Sequence, residues 1–160
     1  MKSLLICCIV LFILCTGCDK GLAPIVVSPG FSGTITYKSK FPPPDSLLDL
    51  RIIAVPYYPI DSSFQKIYDK VTSLVIAFSP EPLSTVTPTI KYTMFVDPKT
   101  YYYVAVVQQY GDYTQWRVVG IYCDSTVSNI PKSVTVSDGK YTEGIDINVD
   151  FYNLPPQPFK

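Results

Sequence analysis

The sequence predicts an all-β protein, an antiparallel β-sandwich of seven or eight strands that follows an N-terminal signal segment. Apolar and polar residues alternate with a period of two in several short segments, as expected for strands with one buried face. The chain's 15 prolines, together with clusters of Gly, Asp and Ser, separate these segments and indicate turns. Many short strands joined by turns are typical of a two-layer sandwich.

The N-terminal segment has the composition of a secretory signal. One cation, Lys2, precedes an apolar run at residues 4–14, and the small residue Gly17 stands directly before Cys18. The run is shorter than the roughly 20 residues that a membrane-spanning helix needs. Two alternatives stay open here: an uncleaved transmembrane anchor, and a secreted protein cut at an ordinary small-residue site.

The residues Thr16-Gly17-Cys18 resemble the lipobox of bacterial lipoproteins, although Cys15 stands where that motif usually has Leu. The resemblance implies that residues 1–17 are a signal peptide, cleaved between Gly17 and Cys18. It also implies that Cys18 is lipidated and that its acyl chains hold the protein to a membrane. The expected location is the bacterial cell envelope, on the extracytoplasmic side, either periplasmic or at the cell surface.

Composition narrows the classes of function. The chain has no histidine, which removes the commonest general base and the commonest metal ligand. Its formal net charge is zero, so no basic field is available to attract nucleic acid. Outside the signal and Cys18 the only cysteine is Cys123, so no internal disulfide is expected. We therefore expect a non-enzymatic protein without cofactor or metal.

The chain divides into a tether, a domain and a tail. Residues 18–29 contain Gly and Pro without a helical pattern and predict a flexible tether that leads from the lipidated cysteine. The β-sandwich domain is predicted at residues 30–152. Residues 153–160 are proline-rich and predict a tail that is neither helix nor inner strand.

Each strand is predicted from its own pattern. Alternation predicts strands at residues 31–37, 90–96 and 145–151, while nearly continuous apolar runs predict buried strands at 47–55 and 101–110. Shorter strands are expected at 73–78, 115–123 and 134–136. Residues 41–44 form a proline connector, because three of them lack an N–H donor. One short helix near residues 62–70, capped by Asp61 or Ser62, is an open alternative for the least regular stretch.

The domain resembles the prealbumin-like domains related to the carboxypeptidase regulatory module. The residues that carry the resemblance are Gly33-Thr34-Ile35, Thr100-Tyr101 leading into Val104-Ala105-Val106, and Val134-Thr135-Val136. Lys99 departs from the pattern, since these domains commonly have Gly there. The resemblance implies a prealbumin-like sandwich, and an immunoglobulin-like sandwich is the alternative.

Aromatic residues supply the candidate binding site. The connection between two central strands combines aromatic and polar side chains, namely Tyr110, Asp112, Tyr113, Gln115 and Trp116. Exposed aromatic rings there could stack on sugars while the polar groups bind hydroxyls. The alternative is that these tyrosines fill the core and rim of the sandwich. The consecutive residues Tyr101, Tyr102 and Tyr103 must point to both faces of a strand.

The spacing Asp146-x-Asn148-x-Asp150 matches the start of a calcium-binding EF-hand loop, but Phe151 and Gln157 occupy the positions that need Gly and Glu. The sequence therefore predicts the solvated face of a strand there.

Taken together, these features of the sequence predict a lipid-anchored, non-enzymatic envelope protein that acts as a structural or interaction module. The alternative is a carbohydrate- or peptide-binding module, with an envelope protein or a glycan as partner.

Overall fold

The computed structural model describes residues 27–124 and 129–159. The predicted signal peptide, the lipidation site at Cys18 and most of the tether lie outside the described residues. Within them the strands are β1 (Gly30–Tyr37), β2 (Asp49–Val55), β3 (Ala77–Phe78), β4 (Thr89–Phe95), β5 (Thr100–Tyr101), β6 (Tyr103–Gln109), β7 (Trp116–Ile121), β8 (Val134–Thr135), β9 (Tyr141–Thr142) and β10 (Ile147–Val149). The helix α1 spans Phe64–Thr72, and a 3₁₀ turn spans Pro44–Ser46.

These elements confirm the all-β prediction, with ten strands among the described residues in place of seven or eight. The number is higher partly because Tyr102 interrupts the predicted strand at residues 101–110 and donates its N–H to the carbonyl oxygen of Val55 at 2.9 Å. The predicted strand at 73–78 shortens to β3, because α1 extends to Thr72 and Leu74 ends it in a left-handed conformation with φ 58°. The N–H groups of Leu74 and Val75 bond back to Val71 and Lys70, as in a Schellman C-cap.

The strands form two main sheets. Each has four strands: one has the order β4-β1-β10, with β9 also beside β1, and the other has the order β3-β2-β6-β7. We call the first the smaller sheet and the second the larger, because the strands of the first contain slightly fewer residues in total. Strands β5 and β8 pair as a separate two-stranded sheet. Strand β1 is antiparallel to β4 and parallel to β9 and β10. The first two strands lie in different sheets, whereas they share a sheet in the constant-type immunoglobulin order. Among the described residues, no helix has the length and apolar composition needed to cross a membrane.

The main core lies between the two sheets and is filled by alternate residues of each strand. Phe31 and Ile35 of β1 are fully buried, and Tyr92 of β4 packs edge-on against Phe31. A Cβ atom added to Gly33 would overlap the carbonyl oxygen of Ile145, so glycine permits the close approach of these two segments. The predicted core face of residues 145–151 is confirmed, because all its apolar side chains are buried.

A second apolar cluster covers the outer face of the larger sheet. Its buried residues are Val55, Ile60, Ile76, Tyr103, Ala105, Val107, Val118 and Ile121. Helix α1 packs Ile67 and Val71 against this cluster, which makes β6 buried on both faces as its continuous apolar sequence predicts. The helix therefore adds a third layer where Ile67 and Val71 pack on the outer face of the larger sheet.

The C-terminal segment packs along β7, the edge strand of the larger sheet. The side-chain amide of Gln157 accepts a hydrogen bond from the Val118 N–H at 2.8 Å and donates one to the Val118 carbonyl at 3.0 Å. The carbonyl of Pro158 accepts the N–H of Ile60 at 3.0 Å. The side chain of Gln157 thus takes the place of a neighbouring strand at Val118, and the N–H of Asp150 bonds to the adjacent carbonyl of Val119 at 3.1 Å.

Candidate functional site

The predicted binding loop between β6 and β7 is a tight turn held by its own polar side chains. Asp112 accepts hydrogen bonds from the N–H and the hydroxyl of Thr114, and these bonds, that of the hydroxyl foremost, hold the pKa of Asp112 below its usual 3.8. Gln115 accepts the N–H of Asp112 through its side-chain oxygen at 3.1 Å. The side chains of Asp112 and Gln115, which are predicted to bind sugar hydroxyls, therefore already form hydrogen bonds within the loop.

The aromatic residues of this loop divide between the two faces of the larger sheet. Trp116 packs against Phe78 at 5.6 Å between ring centroids and belongs to the second cluster. Tyr110 lies under the guanidinium of Arg117 at 5.2 Å, and Arg117 follows Trp116 along β7, so it points to the opposite face. Tyr113 is 74% exposed. The structure thus gives the five predicted residues no common platform, and glycan binding there stays a prediction.

A different aromatic surface lies at the other end of the sandwich, and we call it the tyrosine groove. It is lined by Pro56, Tyr57, Tyr58, Tyr102, Ile130, Pro131 and Ser133, and its volume is about 530 Å³. Strand β2 ends and β6 begins beside it, so two rigid strands position the tyrosines. The volume falls within the roughly 300–1,000 Å³ of typical ligand sites.

The groove arises from the three consecutive tyrosines. Tyr101 points into the main core and Tyr103 into the second cluster, so Tyr102 between them is left 54% exposed. Tyr58 stacks on Tyr103 at 5.3 Å with an interplanar angle of 7°, which leaves its other face open. Ile130 completes the rim and is 61% exposed. The sequence signal was present in the tyrosine runs, but the sequence did not indicate that they meet.

Two tyrosine hydroxyls at this site are buried without a hydrogen-bond partner among the described residues, those of Tyr57 and Tyr103. The ammonium of Lys70 lies 4.0 Å from the Tyr57 ring centroid, over the ring face. Burial, with smaller contributions from Tyr58 and Cys123, raises the pKa of Tyr103, so its hydroxyl stays protonated as a donor. The groove therefore combines apolar walls with few polar groups, and none of its described lining residues carries a carboxylate or an amide side chain.

The polar face of the last strand confirms the prediction made for Asp146, Asn148 and Asp150. Asp146 accepts the N–H of Thr34 at 2.8 Å, and Asp150 accepts the N–H of Tyr152 at 3.0 Å, which is the main cause of its lowered pKa. Both carboxylates thus accept hydrogen bonds from backbone N–H groups. Across the part of the chain that the structure describes, no three His, Cys, Asp or Glu side chains are grouped so that they could hold a metal ion.

Comparison of the chain with protein-family models, with curated proteins and with solved structures found no match.

Proposed function

We propose that this chain is a lipid-anchored, non-enzymatic protein of the bacterial cell envelope whose tyrosine groove binds an extended segment of an envelope protein. The anchor is the acylated Cys18, for which the motif Thr16-Gly17-Cys18 is the support. Residues 18–29 form the tether and a prealbumin-like domain follows. The order of pairing supports that family over the immunoglobulin alternative, because β1 and β2 lie in different sheets.

The observation that carries the binding role is the exposed, apolar groove at the end of a rigid sandwich. Tyr58, Tyr102 and Ile130 are about half exposed or more, although each is large and mostly apolar. Loops positioned by a rigid scaffold commonly carry recognition. Tyrosines give large contact areas at a low cost in side-chain entropy, because they have only two rotatable bonds.

A polypeptide fits the groove better than a glycan does. Sugar hydroxyls are usually bound by carboxylate and amide side chains, and the described residues of the lining include neither. An extended peptide needs apolar contact and a few donors for its carbonyl oxygens, and the lining residues Tyr58, Tyr102 and Ser133 carry hydroxyl groups. Proline-rich and extended segments commonly dock in grooves lined by aromatic residues.

Chemical crosslinking in the native envelope followed by affinity capture tests this proposal. The wild type should capture one or more envelope proteins, and Tyr102→Ser should lose them, because Tyr102 supplies an exposed wall of the groove. Tyr152→Ser is the matched control, since Tyr152 is 69% exposed and does not line the groove. Equal capture by both variants, or a glycan as the sole captured material, would contradict the proposal.

A further inference from the structure

The end of the sandwich at which the chain enters β1 carries an exposed aromatic pair. Phe95 is the last residue of β4, it is 67% exposed, and its ring centroid lies 6.2 Å from that of Tyr141. The chain arrives beside this pair, because the carbonyl of Pro29 accepts the N–H of Val96 at 3.2 Å. Val27, at the start of the described residues, is 40% exposed.

The aromatic pair is held rigidly and points away from the core. Met94, the neighbour of Phe95 along β4, is buried, so Phe95 must face outward on the smaller sheet. The hydroxyl of Tyr141 donates to the carbonyl of Phe31 at 3.2 Å. Its ring lies against β1, where a Cβ added to Gly30 would be 3.1 Å from Cε2 of Tyr141. The pair is therefore a fixed apolar feature that needs little ordering on contact.

The length of the tether places this end of the domain near the proposed anchor. Eight residues lie between Cys18 and Val27, so nine Cα–Cα steps span about 30 Å when fully extended and roughly 17 Å as a flexible coil. Strand β4 is about 20 Å long, and Val86 lies beyond its far end. With Cys18 in the bilayer, the end with Phe95 is thus within reach of the lipid surface, and it is the end at which the chain enters the domain.

We infer that Phe95 and Tyr141, with Val27 beside them, contact the lipid surface and orient the domain on the membrane. This inference rests on the lipid anchor of the proposed function. Aromatic side chains favour the membrane interface, where an apolar ring meets lipid and a polar group meets water. The contact is apolar in character, because Lys99 is paired with Asp97 at 3.6 Å and Lys140 and Glu143 flank β9 with opposite charges.

The proposed contact leaves the tyrosine groove accessible to a partner. Phe95 points out from the smaller sheet, whereas Tyr58 covers the outer face of the larger sheet by stacking on Tyr103. The two surfaces therefore lie on opposite faces of the sandwich, both at the end where β4 leads through β5 into β6. The thickness of the two sheets separates a partner in the groove from the lipid that contacts Phe95.

Site-specific photocrosslinking of the mature lipoprotein in vesicles tests the inference. Phe95→p-benzoylphenylalanine keeps an aromatic side chain at the contact, and Val86→p-benzoylphenylalanine is the matched control at the opposite end of β4, where Val86 is 88% exposed. In phosphatidylethanolamine–phosphatidylglycerol vesicles, lipid adducts at position 95 should exceed those at position 86 about tenfold, the bias expected from burial of one aromatic side chain. The excess should persist at high salt and in vesicles of neutral lipid.

Equal adduct yields at the two positions on an acylated protein would overturn the contact and leave the anchor intact. Adducts at position 95 with protein in place of lipid would overturn it too, as would a yield that falls sharply at high salt. The mass of the same preparation reports acylation of Cys18 independently. A protein without acyl chains would overturn both the anchor and the contact.

Discussion

Replacing Tyr103 with phenylalanine should stabilise the protein. The side chain is 1% exposed, and its hydroxyl has no hydrogen-bond partner among the described residues. An unpaired buried hydroxyl costs about 1–3 kcal/mol, because it loses its bonds to water without replacement. Tyr103→Phe removes that cost and keeps the ring that stacks on Tyr58. We expect the free energy of unfolding to rise by about 1–2 kcal/mol.

The matched control is Tyr92→Phe, which removes the same hydroxyl group but should change the free energy of unfolding in the opposite direction. Tyr92 is also buried, but its hydroxyl donates to the carbonyl of Ile145 at 2.6 Å. Tyr92→Phe leaves that carbonyl without its donor and should lower the free energy of unfolding by about 1–2 kcal/mol. Both substitutions delete one oxygen atom, so differences in packing are small.

Urea unfolding of the purified domain, followed by circular dichroism, measures both variants. Thermal melts give a second measurement, because a change of 1 kcal/mol in the free energy of unfolding moves the melting temperature by about 3–5 °C in a domain of this size. If Tyr103→Phe destabilises the protein as much as Tyr92→Phe does, the hydroxyl of Tyr103 has a bonding partner. The description of the layer beneath the tyrosine groove would then be wrong.

Three further predictions concern stability. The free energy of unfolding should fall as the pH rises above 10.0, the ordinary pKa of tyrosine, because burial raises the pKa of Tyr37, Tyr92, Tyr101 and Tyr103. The tyrosines of the unfolded chain lose their protons near pH 10.0, before those of the folded protein, whose Tyr101 has a pKa of about 12. Between these two pH values each tyrosine lowers the free energy of unfolding by up to about 1.4 kcal/mol per pH unit. Urea melts at about pH 9 and about pH 11 measure this loss, and equal stabilities would contradict it. Gln157→Ala should cost about 1–2 kcal/mol, since it removes two hydrogen bonds to Val118. Gln157→Glu should cost at least as much, because a carboxylate oxygen replaces the amide donor and faces the carbonyl oxygens of Val118 and Pro155. No change in either melt would show that water replaces the amide. Trp116→Ala should lower the free energy of unfolding by about 2–4 kcal/mol, because the ring packs on Phe78. An unchanged melt combined with lost glycan binding would instead identify the β6–β7 loop as the binding site.

The strand pattern of the sheets follows from the sequence because it depends on local alternation. Residues 31–37 and 90–96 alternate clearly, and β1 and β4 occupy those positions with Phe31 and Met94 in the core. Interruptions of the strands do not follow from such patterns. The break at Tyr102 depends on a hydrogen bond to Val55, which lies far away in the chain. Similarly, β9 forms because two residues pair with the start of β1.

The candidate site follows from the sequence only in part, because it is formed by tertiary contacts. The runs that contain Tyr58 and Tyr102 are visible in the sequence, but they meet only because β2 and β6 pair in register. The loop at residues 110–116 has the composition of a binding site, yet its polar groups bond to one another once the turn forms. Composition therefore identifies suitable residues, while the fold determines which of them remain available to a partner.

The mass of the membrane-extracted protein tests the central claim most directly, because the envelope location, the tether and the lipid contact all depend on the anchor. The account predicts a mature chain that begins at Cys18 and carries two or three acyl chains, consistent with the motif Thr16-Gly17-Cys18. The protein should fractionate with membranes until detergent is added, and Cys18→Ser should abolish acylation and retain the signal segment. An unmodified chain in the soluble fraction, cleaved at any other position, would contradict the account.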